Sequence, residues 1–262
     1  MQNFNLHTHT YRCHHATGSD EQYIRAAIDA GMTTIGFSEH LPYPGVEVES
    51  ERMFNKDLSE YFMTIRALKE KYHGQIEILV GVEFEYYDNR VDYLQEISKM
   101  CDYMIIGQHY RYDDHYHYDQ YCSDEDVLIY AKQIIKALNL GLTRYVAHPD
   151  FFMLGRRSFS KACKQATQMI CEAALKYDAV LEINMNGLRY GKLYYSPGMR
   201  YCYPYRDFFK IVSVYNNKVC FGFDAHSPVT LLEHKRYNEC MRILHGLTFH
   251  FVHNVEECLI KK

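Results

Sequence analysis

Apolar runs of strand length end, one after another, on a histidine, a glutamate or an aspartate. The run from Phe4 leads into His7-Thr8-His9, and TTIGFS leads into Glu39-His40. IEILVGVEF contains Glu83, DYMIIG precedes His109, Thr143–Ala147 precedes His148, and KVCFGF precedes Asp224-Ala225-His226. Between these runs lie segments of helical spacing, such as Leu58, Phe62, Ile65 and Leu68. Alternation of this kind along the whole chain predicts a parallel α/β fold. An open sheet and a closed barrel share the rhythm, and the acids and imidazoles decide between them. A closed ring brings the C-terminal ends of all its strands to one mouth, whereas an open sheet spreads its outer strands apart. The expectation is a TIM-like (β/α) barrel with one polar site.

Further elements follow from local signals. Ser19, with Gln22 three residues on, predicts a capped helix that ends near Gly31. Helices are also expected over Asp57–Tyr72, Val91–Met100, Ser123–Leu140, Phe159–Tyr177, Tyr205–Tyr215 and Pro228–Leu244. AVLEIN is a sixth strand, 185–203 a Gly- and Tyr-rich loop, and Thr248–Val252 a last short strand. No Ser/Gly/Pro linker divides the 262 residues, so 1–262 is expected to be a single domain.

Charge is nearly balanced at a formal −4, without the basic excess expected of a nucleic-acid partner. No stretch approaches the roughly 18 apolar residues of a membrane helix, and the N-terminus does not read as a signal peptide. The nine cysteines are odd in number and contain no C-x-x-C pair. Reduced thiols and a cytoplasmic location are the expectation.

His7 and His9, two apart on a strand, point to one face, and Asp224 and His226 repeat the spacing. Glu83 has two oxygens with which to bridge two cations, and Glu85 shares its parity as the alternative. Imidazole and carboxylate together suit Zn, Fe or Mn. Several such ions in one pocket generate hydroxide at neutral pH and grip phosphate oxygens. His73, His234, His245, His250 and His253 lie in or near helices and the C-terminal segment, outside this pattern. His115 and His117 sit in a Tyr/Asp-rich loop, at most on the rim.

The series H-x-H, a third His shortly after, E-H, G-x-E, G-x-H, H-P and G-x-D-x-H resembles the polymerase and histidinol phosphatase (PHP) superfamily, from residue 7 to 226. The segments SEH, AHPD, EIN…GLR and GFDAHSP look most like its histidinol-phosphate phosphatase branch. The resemblance implies a distorted seven-stranded (β/α) barrel and three divalent ions. His7, His9, Glu83 and Asp224 would hold one ion. Glu83 would bridge to a second held by His109 and His148, and His15, His40 and His226 would hold the third. His15 is preferred over His14 because it keeps the family offset from His9. GQHY is one residue shorter between glycine and histidine than many members. Glu39 is expected to orient the ligand it precedes.

The implied reaction is hydrolysis of L-histidinol phosphate, a small phosphate ester, to L-histidinol and phosphate, with Asp224, His226 and Glu83 carrying the chemistry. Arg189 and one of Arg156 and Arg157 are expected to cradle the phosphate, because a guanidinium fork suits two oxygens at once; Arg111 is a weaker candidate. Partners for the substrate's amine and imidazole are sought among Asp150, Glu182 and loop tyrosines such as Tyr190. Other readings are a PHP phosphoesterase for nucleotides, sugar phosphates or phosphotyrosine, an amidohydrolase-type barrel whose bridging lysine has no counterpart here, and a non-catalytic PHP module.

Overall fold

The computed structural model describes residues 2–48, 50–196 and 198–260. Six strands come first: β1 Phe4–Asn5, β2 Thr34–His40, β3 Glu77–Phe84, β4 Tyr103–Ile106, β5 Tyr145–Val146 and β6 Val180–Asn184. A separate antiparallel hairpin follows, β7 Lys192–Tyr195 with β8 Gly198–Tyr201, and then β9 Lys218–Gly222 and β10 His250–Phe251. All but the hairpin pair in parallel, in the order β1-β2-β3-β4-β5-β6-β9-β10. The intervening helices are α1 Asp20–Asp29, α2 Leu58–Lys71, α3 Val91–Met100, α4 Asp124–Asn139, α5 Lys161–Lys176, α6 Arg206–Tyr215 and α7 His234–Ile243.

The ring closes at its mouth. Thr8 bridges Ala225 in parallel, with His9 N donating to Ala225 O (3.0 Å) and Ala225 N to His7 O (3.1 Å). Lower down, β10 takes the edge of β9 at Lys218 and Val219, where β1 would otherwise pair. Side chains stitch the remaining seam: Gln2 bonds both N and O of Phe221, and Asn5 Oδ1 accepts from Phe223 N. This strand wedged at one seam distorts the seven-membered ring.

The strands sort their residues by parity. On β3, Ile78, Val80, Val82 and Phe84 pack in the main core with helical residues such as Phe62, Ile65 and Leu94. Leu79 faces the other way, into a smaller cluster with Phe4, Ile105, Val180 and Cys220, joined from the C-terminal segment by Val252, Val255 and Cys258. Glu83 shares the parity of Leu79, so its carboxylate enters the ring.

Ser19 caps α1 as expected, accepting from Gln22 N while Gln22 returns a bond to the Ser19 backbone. Three expectations need correction. The segment 185–203 is not loop throughout: it contains a 3-10 turn, Asn186–Tyr190, and the β7–β8 hairpin. Pro228–Leu244 is not one helix, because Glu233 is extended and separates a 3-10 turn from α7. The fifth strand is only Tyr145–Val146. All nine cysteines are buried and none is in a disulfide. Among the described residues no helix is long and apolar enough to cross a membrane.

Candidate metal centre

Glycines open the space that the site needs. A Cβ on Gly107 would fall 1.7 Å from Glu83 Oε1, and one on Gly222 would fall 1.6 Å from Glu182 Oε1. Each glycine lets an inward carboxylate lie across a neighbouring strand. Backbone strain marks the same region, since His148 (φ 27°) and Asp224 (φ 47°) are both left-handed, a conformation that favours glycine.

Four buried atoms face one another at the centre. His7 Nε2 and His9 Nε2 are 3.1 Å apart. Glu83 Oε2 is 3.5 Å from the first and 3.4 Å from the second, and Asp224 Oδ1 is 3.6 and 3.3 Å away. Ligands held at about 2.0–2.1 Å around a tetrahedral ion sit about 3.3 Å from one another. Glu83 Oε2 and Asp224 Oδ1 are also buried without any hydrogen-bond donor. A divalent cation would satisfy all four atoms at once, and among the described residues no single group reaches all four.

Outer groups aim these ligands. His7 Nδ1 donates to Glu182 Oε1 (2.8 Å), which leaves the Nε2 lone pair for the central hole. Glu182 also receives Tyr145 OH, His148 N and Asn184 Nδ2, so it is fully engaged behind the site. Glu39 departs from expectation. Its carboxylate lies 3.5 Å from His9 Nδ1 and takes Thr10 N and Oγ1, while His40, which it was expected to orient, offers it only a backbone N–H. Glu85 Oε1 lies 3.2 Å from His109 Nδ1, a supporting position.

The other site residues surround the centre. Glu83 Oε1 lies 2.8 Å from His148 Nε2 and 3.8 Å from His109 Nε2, and Glu83 Oε2 lies 3.0 Å from His40 Nδ1. His226 Nε2 is 3.0 Å from His15 Nε2, and its Nδ1 is 3.2 Å from Asp224 Oδ1. Donors close enough to share an ion form overlapping groups: His7, His9 and Asp224; His7, Glu83 and His148; His40, Glu83 and His109; and His9, His40 and His226. A fifth group joins His15 and His226 to Cys13, which sequence reasoning missed, whereas the expected trio of His15, His40 and His226 is divided between groups. His14 turns away to pack on Phe54.

Charge follows this layout. Burial pushes the His7 imidazole down, but Glu182, Asp224 and Glu83 outweigh it and hold His7 well above its ordinary value. His9 rises to about 9, its burial offset by Asp224, Glu39 and Glu83. Glu83 and Asp224 resist the upward push of burial and lie well below the carboxylate range, held there first by His7. The outer imidazoles behave oppositely. Burial, then His226 and His9, lower His15 to about 4, and burial with His9 lowers His40 and His226 despite nearby carboxylates.

The site opens into a cleft of about 230 Å³, lined in part by Arg189, Tyr190, Tyr203, Arg52 and Glu51. Arg189 NH2 donates to Tyr190 OH (2.7 Å). Arg156 and Arg157 are elsewhere. Arg156 binds Cys122 O and Asp124 at the start of α4 and Ser160 at the start of α5, and Arg157 is exposed and folds back on Leu154 O and Arg156 O. Arg111 is held by Asp126 (2.6 Å). Asp150, fully buried, accepts from Tyr205 N, and burial lifts its carboxyl to about 8. Arg52, Glu51 and Asp119 escaped sequence reasoning because they lie in irregular loops without strand-end position or motif.

The PHP domain family matches residues 5–186, well over half of the chain. A protein of Deinococcus radiodurans named probable histidinol-phosphatase is 32% identical over 106 residues, 40% of this chain and 41% of that protein. A histidinol-phosphatase of Bacillus subtilis is 25% identical over 221 residues, 72% of this chain and 82% of that protein. The chain thus spans about four-tenths of the length of the first of these relatives. Among solved structures, histidinol phosphate phosphatase of Lactococcus lactis, complexed with Zn, L-histidinol and phosphate, has a TM-score of 0.66 at 17% identity, covering 99% of each chain. A Listeria monocytogenes protein has a TM-score of 0.69 at 21% identity, covering 90% of this chain and 100% of that one. These likenesses establish a common fold. With the family match they show that the chain belongs to the PHP domain family.

Proposed function

We propose that this chain is a metal-dependent phosphomonoesterase that hydrolyses L-histidinol phosphate to L-histidinol and phosphate, using three divalent ions among Zn, Fe and Mn. The observation that carries the reading is the central hole: two imidazole nitrogens and two donorless carboxylate oxygens at 3.1–3.6 Å. Its donor set of nitrogen and oxygen suits those metals. When bound, such ions supply hydroxide at neutral pH and stabilise charge on a phosphoryl group.

The protein's own residues do the rest. His7, His9, Glu83 and Asp224 would hold the first ion, Glu83 with His109 and His148 the second, and His226 with His15 and His40, which fall in separate donor groups, the third. Arg189 meets the phosphate oxygens in the cleft, with Tyr190 fixing its guanidinium, and Arg156 and Arg157 have no part in it. Asp224 and the neighbouring His226, 3.2 Å apart, would be the groups that relay a proton. The relatives named histidinol-phosphatase support the choice of substrate.

Elemental analysis of purified protein, paired with phosphate release from L-histidinol phosphate, AMP, a sugar phosphate and phosphotyrosine, tests the reading. Bound divalent metal with sharp preference for L-histidinol phosphate is expected. Broad, weak release would favour a different small phosphate ester, and absent metal would remove the enzyme reading altogether. Arg189→Ala should raise KM or lower kcat roughly 10- to 100-fold while leaving metal content intact.

A further inference from the structure

The cleft has two chemically different walls. On one, Arg189 NH2 donates to Tyr190 OH (2.7 Å) beside Tyr203 and Asp224. Glu51, Arg52, His117 and Asp119 come from the loops after β2 and β4 and form the other side, next to His109. Arg52 looks like the natural counter-ion there, but it is already committed. Its guanidinium binds Glu85 Oε2 (2.5 Å) and Asp113 O (2.8 Å) and lies over the rings of Tyr43 and Tyr110.

Two further acidic residues line this side of the cleft, Glu51 and Asp119. Among the described residues, no hydrogen bond or salt bridge holds the Glu51 side chain. Asp119 Oδ1 is buried without a hydrogen-bond partner, and the nearest basic atom, His117 Nδ1, is 3.6 Å away. His117 is itself packed on Tyr110, ring to ring at 4.2 Å. A buried carboxylate oxygen with no donor calls for one from outside the protein. The acids offered earlier for this task are excluded: Glu182 is fully bonded behind His7, and Asp150 is buried against Tyr205 N.

We propose that Glu51 and Asp119 form a cation-recognition wall, so that the site selects phosphate monoesters whose alcohol carries an ammonium group. The inference rests on the phosphomonoesterase reading and specifies which end of the substrate lies where. The phosphate lies toward the nine-residue cluster and Arg189. The ammonium, with three donors and no acceptor, supplies the bonds that Glu51 and Asp119 lack. The same two charges repel a second phosphate, which disfavours nucleoside diphosphates and bisphosphates without any steric block.

The test uses metal-loaded protein and the variants Glu51→Gln, Asp119→Asn and both together. Steady-state kinetics are measured with L-histidinol phosphate and with p-nitrophenyl phosphate, whose alcohol carries no amine. Calorimetry measures binding of L-histidinol alone. The double variant should raise KM for L-histidinol phosphate roughly 10- to 100-fold, with kcat moving by no more than a few-fold. The ratio of kcat/KM between the two esters should fall accordingly, and L-histidinol should bind more weakly in the same order of variants. Equal losses on both esters, or unaltered L-histidinol binding, would overturn the wall. If the unaltered protein hydrolyses neither ester, the hydrolase reading fails by itself, and the calorimetry still decides the wall. Both side chains sit on loops outside the ring, and each single variant provides a reading should the double variant fold poorly.

Discussion

The inner and outer halves of the histidine cluster differ in what surrounds them. His7 and His9 are enclosed by four carboxylates, Glu39, Glu83, Glu182 and Asp224, which raise both imidazoles. His15, His40 and His226 lie among one another and near His9, and their affinity for protons is reduced. Protons and metal ions respond to the same field. A cation in the inner hole gains attraction from the acids, whereas one among the outer imidazoles depends chiefly on neutral nitrogen donors. The inner position should therefore bind tightly and the outer one exchange more readily.

The largest effect expected on this contrast comes from Asp224→Asn. It removes the negative charge shared by the inner hole and His226, so phosphate release should fall more than roughly 1,000-fold, with loss of bound metal by elemental analysis. Near-normal activity with full metal content would break the comparison. Next is Glu182→Gln, which leaves every direct donor in place but weakens the hold on His7 Nδ1. Metal affinity, measured by competition with a chelator, should drop about 10- to 100-fold. His15→Ala should cost one equivalent of metal while the remaining ions stay through dialysis. Loss of all metal would mean that the two halves are not independent.

The smallest effect is a pH dependence of the chelated protein. His7 and His9 have folded values above the unfolded one, so their contribution is full below about 6.5 and fades as pH rises, through about 9 for His9. His15, with a folded value of about 4, works in the other direction. It stays neutral in the fold, so stability declines as pH falls from about 6.5 toward 4. Tm of the metal-free protein should fall on raising pH from 7 to 9, and metal should abolish the decline. A flat profile without metal would show that the inner imidazoles carry no extra protons.

Much of this arrangement was legible beforehand because strand geometry is repetitive. The parity of β3 alone places Glu83 inside, and the i, i+2 spacing places His7 beside His9. Loops have no such period, and that is where reading failed. Arg156 and Arg189 both follow strands in similar loops, yet Asp124 and Ser160 turn one outward while the 3-10 turn at Asn186–Tyr190 carries the other into the cleft. Glu39 was seen as a supporting acid, but which histidine it supports depends on a contact across the ring. The β7–β8 hairpin does carry a turn signal, Ser196-Pro197-Gly198, but it is lost when 185–203 is taken as one Gly- and Tyr-rich loop.

Gly107 and Gly222 extend these points to any chain compared with this one. An alanine at either position would evict Glu83 or Glu182 from its berth while leaving every donor in the sequence untouched. A tally of histidines and acids would score such a protein as competent when its pocket had been walled off. Vacant volume is thus as heritable a part of this centre as any side chain, and it should be checked first when a distant relative keeps the motif but shows no turnover.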